Sequence, residues 1–599
     1  LAMIKENSGD ELDMLGVDLF DAPTYELLGK GLTVGVFQFE SGGMQEYLRK
    51  LKPTCLEDMI AMNALYRPGP IENIPKFIDC KQGNIPIDCY HPDFESFLGE
   101  TYGVIVYQEQ VMLLAQKLAG FTLGGADILR RIMAKKKPKE LEKVRPKFFD
   151  GAVANGYDIQ IAERLWEVLL PFCNYAFNKS HSAAYAFIGY QTAFLKANYT
   201  AEYMAANMSS EINSTDRLVI LLEDCKSLKV DILPPDINRS KGVFTVKDGK
   251  INYGLAGIKG VGLNVIESLL VEKEEEGEFV SLFDLTKRMA HTSAFNKRTL
   301  ESLIMAGACD NFEGTRAEMH ASVDLAIEYG ARCQREKDMG QVSLFDMGDQ
   351  STKDEMIPDL LEVNPWTHIE LLAKEKEVMG LYITGHPLEE YRLELEGFCD
   401  GTLAPESIAN FPITENAPFG KEQTGPKVLV GGVITDLRQR VSQKTNRPFA
   451  FAWLEDLGGK FEVCFWSDAF EAFREQITDD SMVLLEGFVK QKREGTGVQL
   501  DVQKVIPLEE SRRKLTSYIH LKLDSNGLTE DDIQDLEMIA EGFEIQGGGG
   551  AELMFHLTTK SGYTHRLKSN RFRLNPEMDL IHELQDVLGK DKVKLSSSN

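Results

Sequence analysis

Two stretches of this chain hold side chains whose chemistry suits phosphate. Between residues 128 and 147 there are nine basic and two acidic residues, a local net charge of +7 in a 599-residue chain whose overall charge is −27. On a helix through 126–137, a step of 100° per residue sends Ile128, Leu129, Ile132 and Met133 to one side. Arg130, Arg131 and Lys135 go to the other, and Pro138 is predicted to stop the helix with Lys136 and Lys137 at its end. Guanidinium forks match phosphate oxygens and ammonium groups add point charges, so such a stripe can grip a phosphate chain. The plainer alternative is a solvated face; the density of charge against an acidic background favours phosphate.

The second stretch is Phe177-Asn178-Lys179-Ser180-His181-Ser182-Ala183-Ala184-Tyr185. Asn178 or Ser180 would cap a helix that is apolar nearly all round through Phe194 and is therefore expected to be buried. Lys179 and His181 at the positive end of a buried helix would suit a triphosphate or phosphodiester. Two readings stand side by side here: a phosphate site, or a plain cap beside a satisfied core histidine.

The elements that must position these residues follow from the patterning. A chain this long exceeds one hydrophobic core, and three to five domains are expected. Residues 1–245 read as mainly helical, with Val111, Leu114 and Leu118 forming an apolar stripe that Gly120 ends. Asp231-Ile232-Leu233-Pro234-Pro235-Asp236 reads as a rigid extended link and a plausible boundary. Residues 246–400 are again mostly helical, with a polar loop near 338–353. From Lys427 the period changes to two, through Val428-Leu429-Val430, Phe449-Ala450-Phe451-Ala452-Trp453, Phe461-Glu462-Val463-Cys464-Phe465 and Val483-Leu484-Leu485. Short strands with glycine turns predict a small barrel of the OB type over 420–510. A small α/β segment with a glycine run at 547–550 occupies 515–599. The fold class is thus multidomain: mainly α over the first two thirds, then a β-barrel OB-fold and a small α/β C-terminal domain, and the resemblance given below implies that the α part comprises fingers and helix-hairpin-helix domains.

Composition removes several function classes. No apolar run reaches the ~18 residues of a membrane span, and the first residues resemble no signal peptide. The opening Leu1, with no initiator Met, reads as the start of a fragment. Nine cysteines without a C-x-x-C pair give neither a zinc site nor a disulfide framework, so reduced thiols in a cytoplasmic protein are expected. An acidic body repels DNA except where a basic patch invites it.

The runs quoted above, with Phe37-Gln38-Phe39-Glu40-Ser41, Tyr66-Arg67-Pro68-Gly69-Pro70, Thr101-Tyr102-Gly103, Tyr107-Gln108-Glu109-Gln110-Val111, Gly124-Gly125-Ala126-Asp127, Leu233-Pro234-Pro235-Asp236 and Thr384-Gly385-His386-Pro387, closely resemble bacterial replicative DNA polymerases of family C, the polymerase III alpha subunits. The resemblance implies a C-terminal half whose fingers close over the incoming dNTP. It assigns Arg130 and Arg131 to the triphosphate, and Lys179 and His181 to the nucleotide pocket or templating strand. Lys135, Lys136 and Lys137 would contact DNA.

That family holds Mg2+ on a palm, with an Asp-x-Asp pair and a third Asp; neither strand occurs here. Asp93-Phe94-Glu95, Asp18 and Asp21 read as solvated carboxylates, so no catalytic or metal-binding residue is expected in this chain, which alone should not polymerise. Gly257-Ile258-Lys259-Gly260-Val261-Gly262 carries the logic of a helix-hairpin-helix, with Lys259, Gly260 and Gly262 toward duplex phosphates and a second helical pair near 296–308. Gln341-Val342-Ser343-Leu344-Phe345 resembles a sliding-clamp anchor: Gln341 hydrogen-bonds while Leu344 and Phe345 fill a pocket. The alternative is a loop pinned back on its own domain.

In the barrel, Trp453, Phe461, Phe465 and Trp466 could stack on single-stranded bases, although some must be core. Lys444, Arg447, Lys490, Lys492 and Arg493 could line the backbone path. The last segment resembles the part that meets the clamp-loader-linked subunit, and a proofreading exonuclease is a further implied partner. An error-prone paralogue and a non-catalytic DNA- and clamp-binding scaffold are the competing identities.

Overall fold

The computed structural model describes the chain except residues 135–137, 173–176, 339–356, 416–422, 444, 493–496, 526–528, 546–549, 560–562 and 598–599. Two compact units emerge, Leu1–Thr384 and Gly385–Asn599. The order of elements bears out the expected class: helices first, then a five-stranded closed barrel, then a small mixed sheet.

Within the first unit, the Lys179–Asn198 helix is the organising element. It packs along Leu56–Leu65, where residues 58 to 65 are all buried. Close approach requires Gly189, because a Cβ there would lie 2.5 Å from the Phe39 ring and 2.9 Å from the Phe37 carbonyl oxygen. Further along the same helix, Lys196 is completely buried. Its Nζ donates to the carbonyls of Leu32 and Val34, each at 2.8 Å, and to Asp224 Oδ2 at 2.7 Å. All three ammonium protons are thereby satisfied, which is what allows a lysine in a core.

The helix is not buried all round, contrary to the sequence expectation. Ser182, Ala186, Gly189, Tyr190, Ala193 and Lys196 face inward, while Tyr185 and Ile188 are exposed. Apolar residue type did not decide which face met a partner; the packing neighbours lie on one side only. Two further expectations need correcting. The basic helix is Leu123–Ala134, and Pro138 opens the next helix, Pro138–Ala154, instead of ending the first; proline's fixed φ suits a first helical turn. Leu129 and Met133 are buried as expected, but Ile128 is exposed.

Residues from Phe94 to Leu169 form a core of their own, and those from Ala201 to Leu381 share another. Three short strands, β1 (Ile232–Leu233), β2 (Thr245–Lys247) and β3 (Lys250–Asn252), pair in the order β1-β3-β2. β1 is parallel to β3, so the extended backbone imposed before Pro234 is used for pairing.

In the second unit, β4 (Val428–Val441), β5 (Pro448–Glu455), β6 (Lys460–Phe465), β7 (Met482–Gln491) and β8 (Val498–Pro507) close in the order β4-β5-β6-β8-β7. The helix Ser467–Phe473 lies between β6 and β7. Alternation on β5 sends Ala450, Ala452 and Leu454 into the barrel. After the helix Leu508–Leu515 comes a β-α-β-β-α-β run of β9 (Tyr518–Asp524), β10 (Ala551–Thr558), β11 (Thr564–Leu574) and β12 (Val593–Ser596), paired β11-β10-β9-β12. Ile519, Leu521, Leu553, Val593 and Leu595 line one face of that sheet, in a common core with Leu580, Ile581 and Leu584 of the helix Met578–Leu588.

Candidate nucleic-acid interface

The basic helix and the Asn178–His181 segment are brought together through one short backbone contact. Tyr107 and Phe177 form a parallel bridge, and Gln108 N–H donates to the Phe177 carbonyl at 2.8 Å. Tyr107 is held in turn by the buried Gln110, whose Oε1 accepts from Val106 and Tyr107 N–H at 2.8 and 3.0 Å. Gln110 Nε2 donates to Phe97 O and Thr101 Oγ1. A buried amide with this many partners is a rigid clasp, and it gives the Tyr-Gln-Glu-Gln run a physical purpose.

From this clasp, Gln108 Oε1 accepts from Arg130 Nη1 at 3.1 Å. Asp127 Oδ1 takes Arg130 Nε and Nη2 at 3.0 and 2.8 Å, and Asp127 Oδ2 pairs with Arg131 Nε at 2.8 Å. Hydrogen bonding from Arg130 and the charge of Arg131 hold the Asp127 carboxyl below its usual range. Both arginines are thus pre-oriented by one carboxylate, at a part-exposed site that a more highly charged anion could enter.

Asn178 is the N-cap, its Oδ1 accepting from His181 N–H at 2.9 Å. The positive helix end is already served internally: Glu109 accepts from Lys179 N–H at 3.0 Å and from Asn178 Nδ2 at 2.9 Å. Lys179 Nζ pairs with Glu100 at 2.6 Å. His181 is not a core histidine; it is exposed and stacks on Tyr185, centroids 4.5 Å apart and planes within 16°. Phe37 meets Tyr185 at 5.5 Å, so an exposed row of rings runs along the outer face of the helix.

Arg67 joins these groups, a role that its sequence neighbourhood does not assign. Its guanidinium lies 4.0 Å from the Phe177 ring centroid, and it is exposed and carries no ion pair among the described residues. Arg67, Arg130, Lys179 and His181 therefore gather around Phe177–Asn178, and Arg131 is tied to them through Asp127. An Arg-Pro-Gly-Pro turn directly after a buried helix was the available signal. Lys135, Lys136 and Lys137 lie outside the described residues. Of the supposedly solvated carboxylates, Asp21 instead caps the Ala22–Lys30 helix, and Asp93 accepts from the Tyr157 hydroxyl at 2.8 Å. Among the described residues no group of three or more His, Cys, Asp or Glu is placed to hold a metal ion.

In the hairpin, Lys259, Gly260 and Gly262 are all exposed. Gly260 has φ +90°, and a Cβ there would lie 2.8 Å from Ser302 Oγ. Not every N–H faces outward as expected, because Lys259 N–H donates to the Val378 carbonyl. Gly262 caps Leu263–Glu276, and the Gly260 carbonyl accepts from Thr299 in the first turn of Lys297–Met305. Two helix starts thus meet at one turn, with the exposed Arg298 beside it. Gln341, Leu344 and Phe345 lie outside the described residues.

On the barrel the aromatic residues sort by strand parity. Phe461 and Phe465 are core, 2% and 0% exposed, and cannot stack on bases. Trp453 and Trp466 are on the outside, joined by Phe449 and Phe451, with Phe449 stacked on Trp466 at 5.7 Å. Register puts Phe451 opposite Arg438, and Phe449 opposite Arg440. The other expected cations are engaged: Lys490 with Asp501, Lys492 with Glu462, and Arg447 with Asp468 and Glu471. Lys444 and Arg493 lie outside the described residues.

Residues 1–156 match the bacterial DNA polymerase III alpha subunit finger domain, residues 229–319 a helix-hairpin-helix motif, and residues 428–508 an OB-fold nucleic acid binding domain. Three similar proteins, each described as DNA polymerase III subunit alpha, come from Pseudomonas aeruginosa, Borreliella burgdorferi and Escherichia coli K12. They are 38%, 36% and 34% identical over 99%, 94% and 98% of this chain. The chain covers 51%, 48% and 50% of those relatives, about half their length.

Proposed function

We propose, because the chain belongs to the family of DNA polymerase III alpha subunits, that it is the nucleotide-, DNA- and clamp-binding part of a replicative DNA-directed DNA polymerase. Residues 1–245 act as fingers, 246–400 as the duplex- and clamp-binding domain, 420–510 as a single-strand-binding barrel and 515–599 as a partner-binding domain. The carrying observation is the gathering of Arg130, Arg131, Lys179 and His181 on one clasp, beside an exposed ring row. Arg130 and Arg131 receive the triphosphate of the incoming dNTP, exchanging Asp127 for phosphate oxygens. Lys179 and His181 border the base and the templating strand.

Catalytic carboxylates and their Mg2+ belong outside this chain, and the chain alone does not polymerise. Lys135, Lys136 and Lys137, with Lys259, Gly260 and Gly262, hold primer-template phosphates. Gln341, Leu344 and Phe345 anchor the sliding clamp; the clamp-loader-linked subunit and the proofreading exonuclease are further partners, in the cytoplasm. Among the described residues no helix is long and apolar enough to cross a membrane.

The test is Arg130→Ala in the full-length subunit. Losing a charge-assisted bond of about 1.5–3 kcal/mol lowers kcat/KM for dNTP by roughly 10- to 150-fold. Unchanged steady-state kinetics would remove Arg130 from the nucleotide site.

A further inference from the structure

The four-stranded sheet of the second unit has one face in the core and one open. Register fixes the open face. Tyr518 pairs with Glu552 and Ser596; His520 pairs with Met554 and Lys594; Lys522 pairs with His556. On the far side, His556 pairs with Arg566 and Met554 with Lys568. Directly paired residues share a face, so rings occupy the two central strands and cations lie around them.

The rings form a connected group. His520 Nδ1 and His556 Nε2 are 2.9 Å apart, and His520 Nε2 is 2.8 Å from Ser596 Oγ. Tyr518 and His520 have centroids 6.2 Å apart. Burial holds both imidazoles below their usual value, helped at His520 by His556 and Arg566 and at His556 by Arg566 and Lys522. Lys522, Arg566 and Lys594 are exposed and carry no ion pair among the described residues. Two anions share the face: Glu552, which is consumed by Lys568 and Arg573, and the exposed Asp524 at the end of β9, paired with Thr558.

We propose that this open face, with Tyr518, His520 and His556 at its centre and Lys522, Arg566 and Lys594 around them, binds single-stranded nucleic acid. Bases stack on the central rings while the cations take the phosphates. A four-stranded sheet displaying rings between basic edges suits splayed bases, because every base has a π-face and each phosphate between bases needs a cation. An acidic peptide would use the cations but has no use for the rings, so the joint placement favours nucleic acid. This assignment is independent of the nucleotide role of the fingers and adds a ligand to the partner-binding role of the segment.

The test photo-crosslinks the full chain to a 5-iodouracil-substituted oligodeoxynucleotide and maps the linked peptides. A crosslink to Tyr518, His520 or His556 is expected. In Lys522→Glu/Arg566→Glu it should fall at least tenfold, with crosslinks to the barrel unchanged. Both positions are exposed, and an unaltered barrel crosslink reports a folded unit. Crosslinks confined to other domains would overturn the proposal. So would displacement by poly-glutamate at a lower concentration than unlabelled oligonucleotide, which would assign the face to an acidic protein.

Discussion

Lys196→Met tests whether one buried ammonium holds the ring row in place. Methionine nearly conserves the volume, so the cavity term is small, but three hydrogen bonds disappear. The carbonyls of Leu32 and Val34 lose their donor, and Asp224 is left buried without its cation. Breaking a buried pair by removing one partner costs about 3–5 kcal/mol. Burial lowers the Lys196 pKa and raises that of Asp224 even with the pair formed. Desolvation therefore exceeds what the two charges return to each other, and the pair specifies the position of the 32–39 turn more than it stabilises the core.

In the variant, Asp224 escapes by taking a proton, so the destabilisation should be smaller at pH 5 than at pH 8. Several cooperative units make a single unfolding energy ill-defined, and native-state hydrogen exchange is the better assay. Amides of 32–40 and 190–225 should open about 150- to 5000-fold more readily. Lys196→Met/Asp224→Leu should recover part of this, but not the two carbonyls. Opening raised less than tenfold in the single variant would refute the reasoning.

Trp466→Ala should weaken short oligothymidylate binding by the full chain about 5- to 150-fold, the equivalent of one stacked base at about 1–3 kcal/mol; Phe465→Ala should instead lower stability, and equal affinity in Trp466→Ala would exclude the outer row as a platform. His520 and His556 both bind protons less readily than the ordinary value of 6.5, so the unfolded chain takes protons the folded sheet refuses. Exchange protection of 518–524 should hold from pH 8 to 7 and decline as pH falls below about 6.5; protection that rises on acidification would show the sign to be wrong. Leu344→Ala/Phe345→Ala in the full-length subunit should abolish clamp-dependent processivity and spare clamp-free extension, and full processivity would refute the anchor.

Much of this architecture was legible in local pattern. Period-two alternation marked the barrel because residues in one pleated strand must alternate between core and solvent. A cap at Asn178 or Ser180, which the fold settles as Asn178, and the Val111, Leu114, Leu118 stripe follow from bonding and periodicity within one turn or two. The long ordered motifs carried the family because each encodes a constraint, as Gln110 does by satisfying its four neighbours and Gly189 by lacking a Cβ. Local pattern could not say which apolar surface met a partner, so the Lys179–Asn198 helix was expected to be buried when one face is open. Nor could it say which basic residues already had carboxylates, since Lys179–Glu100 and Lys490–Asp501 join positions far apart or on different strands. Phe449 and Phe451 outside the barrel, with Phe461 and Phe465 inside, were decided by strand register. Arg67 joined the site only when the fold carried Phe177 beneath it. Hydrogen-bonding capacity and periodicity belong to the sequence; proximity belongs to the tertiary structure, because it depends on every element packed between the residues that meet.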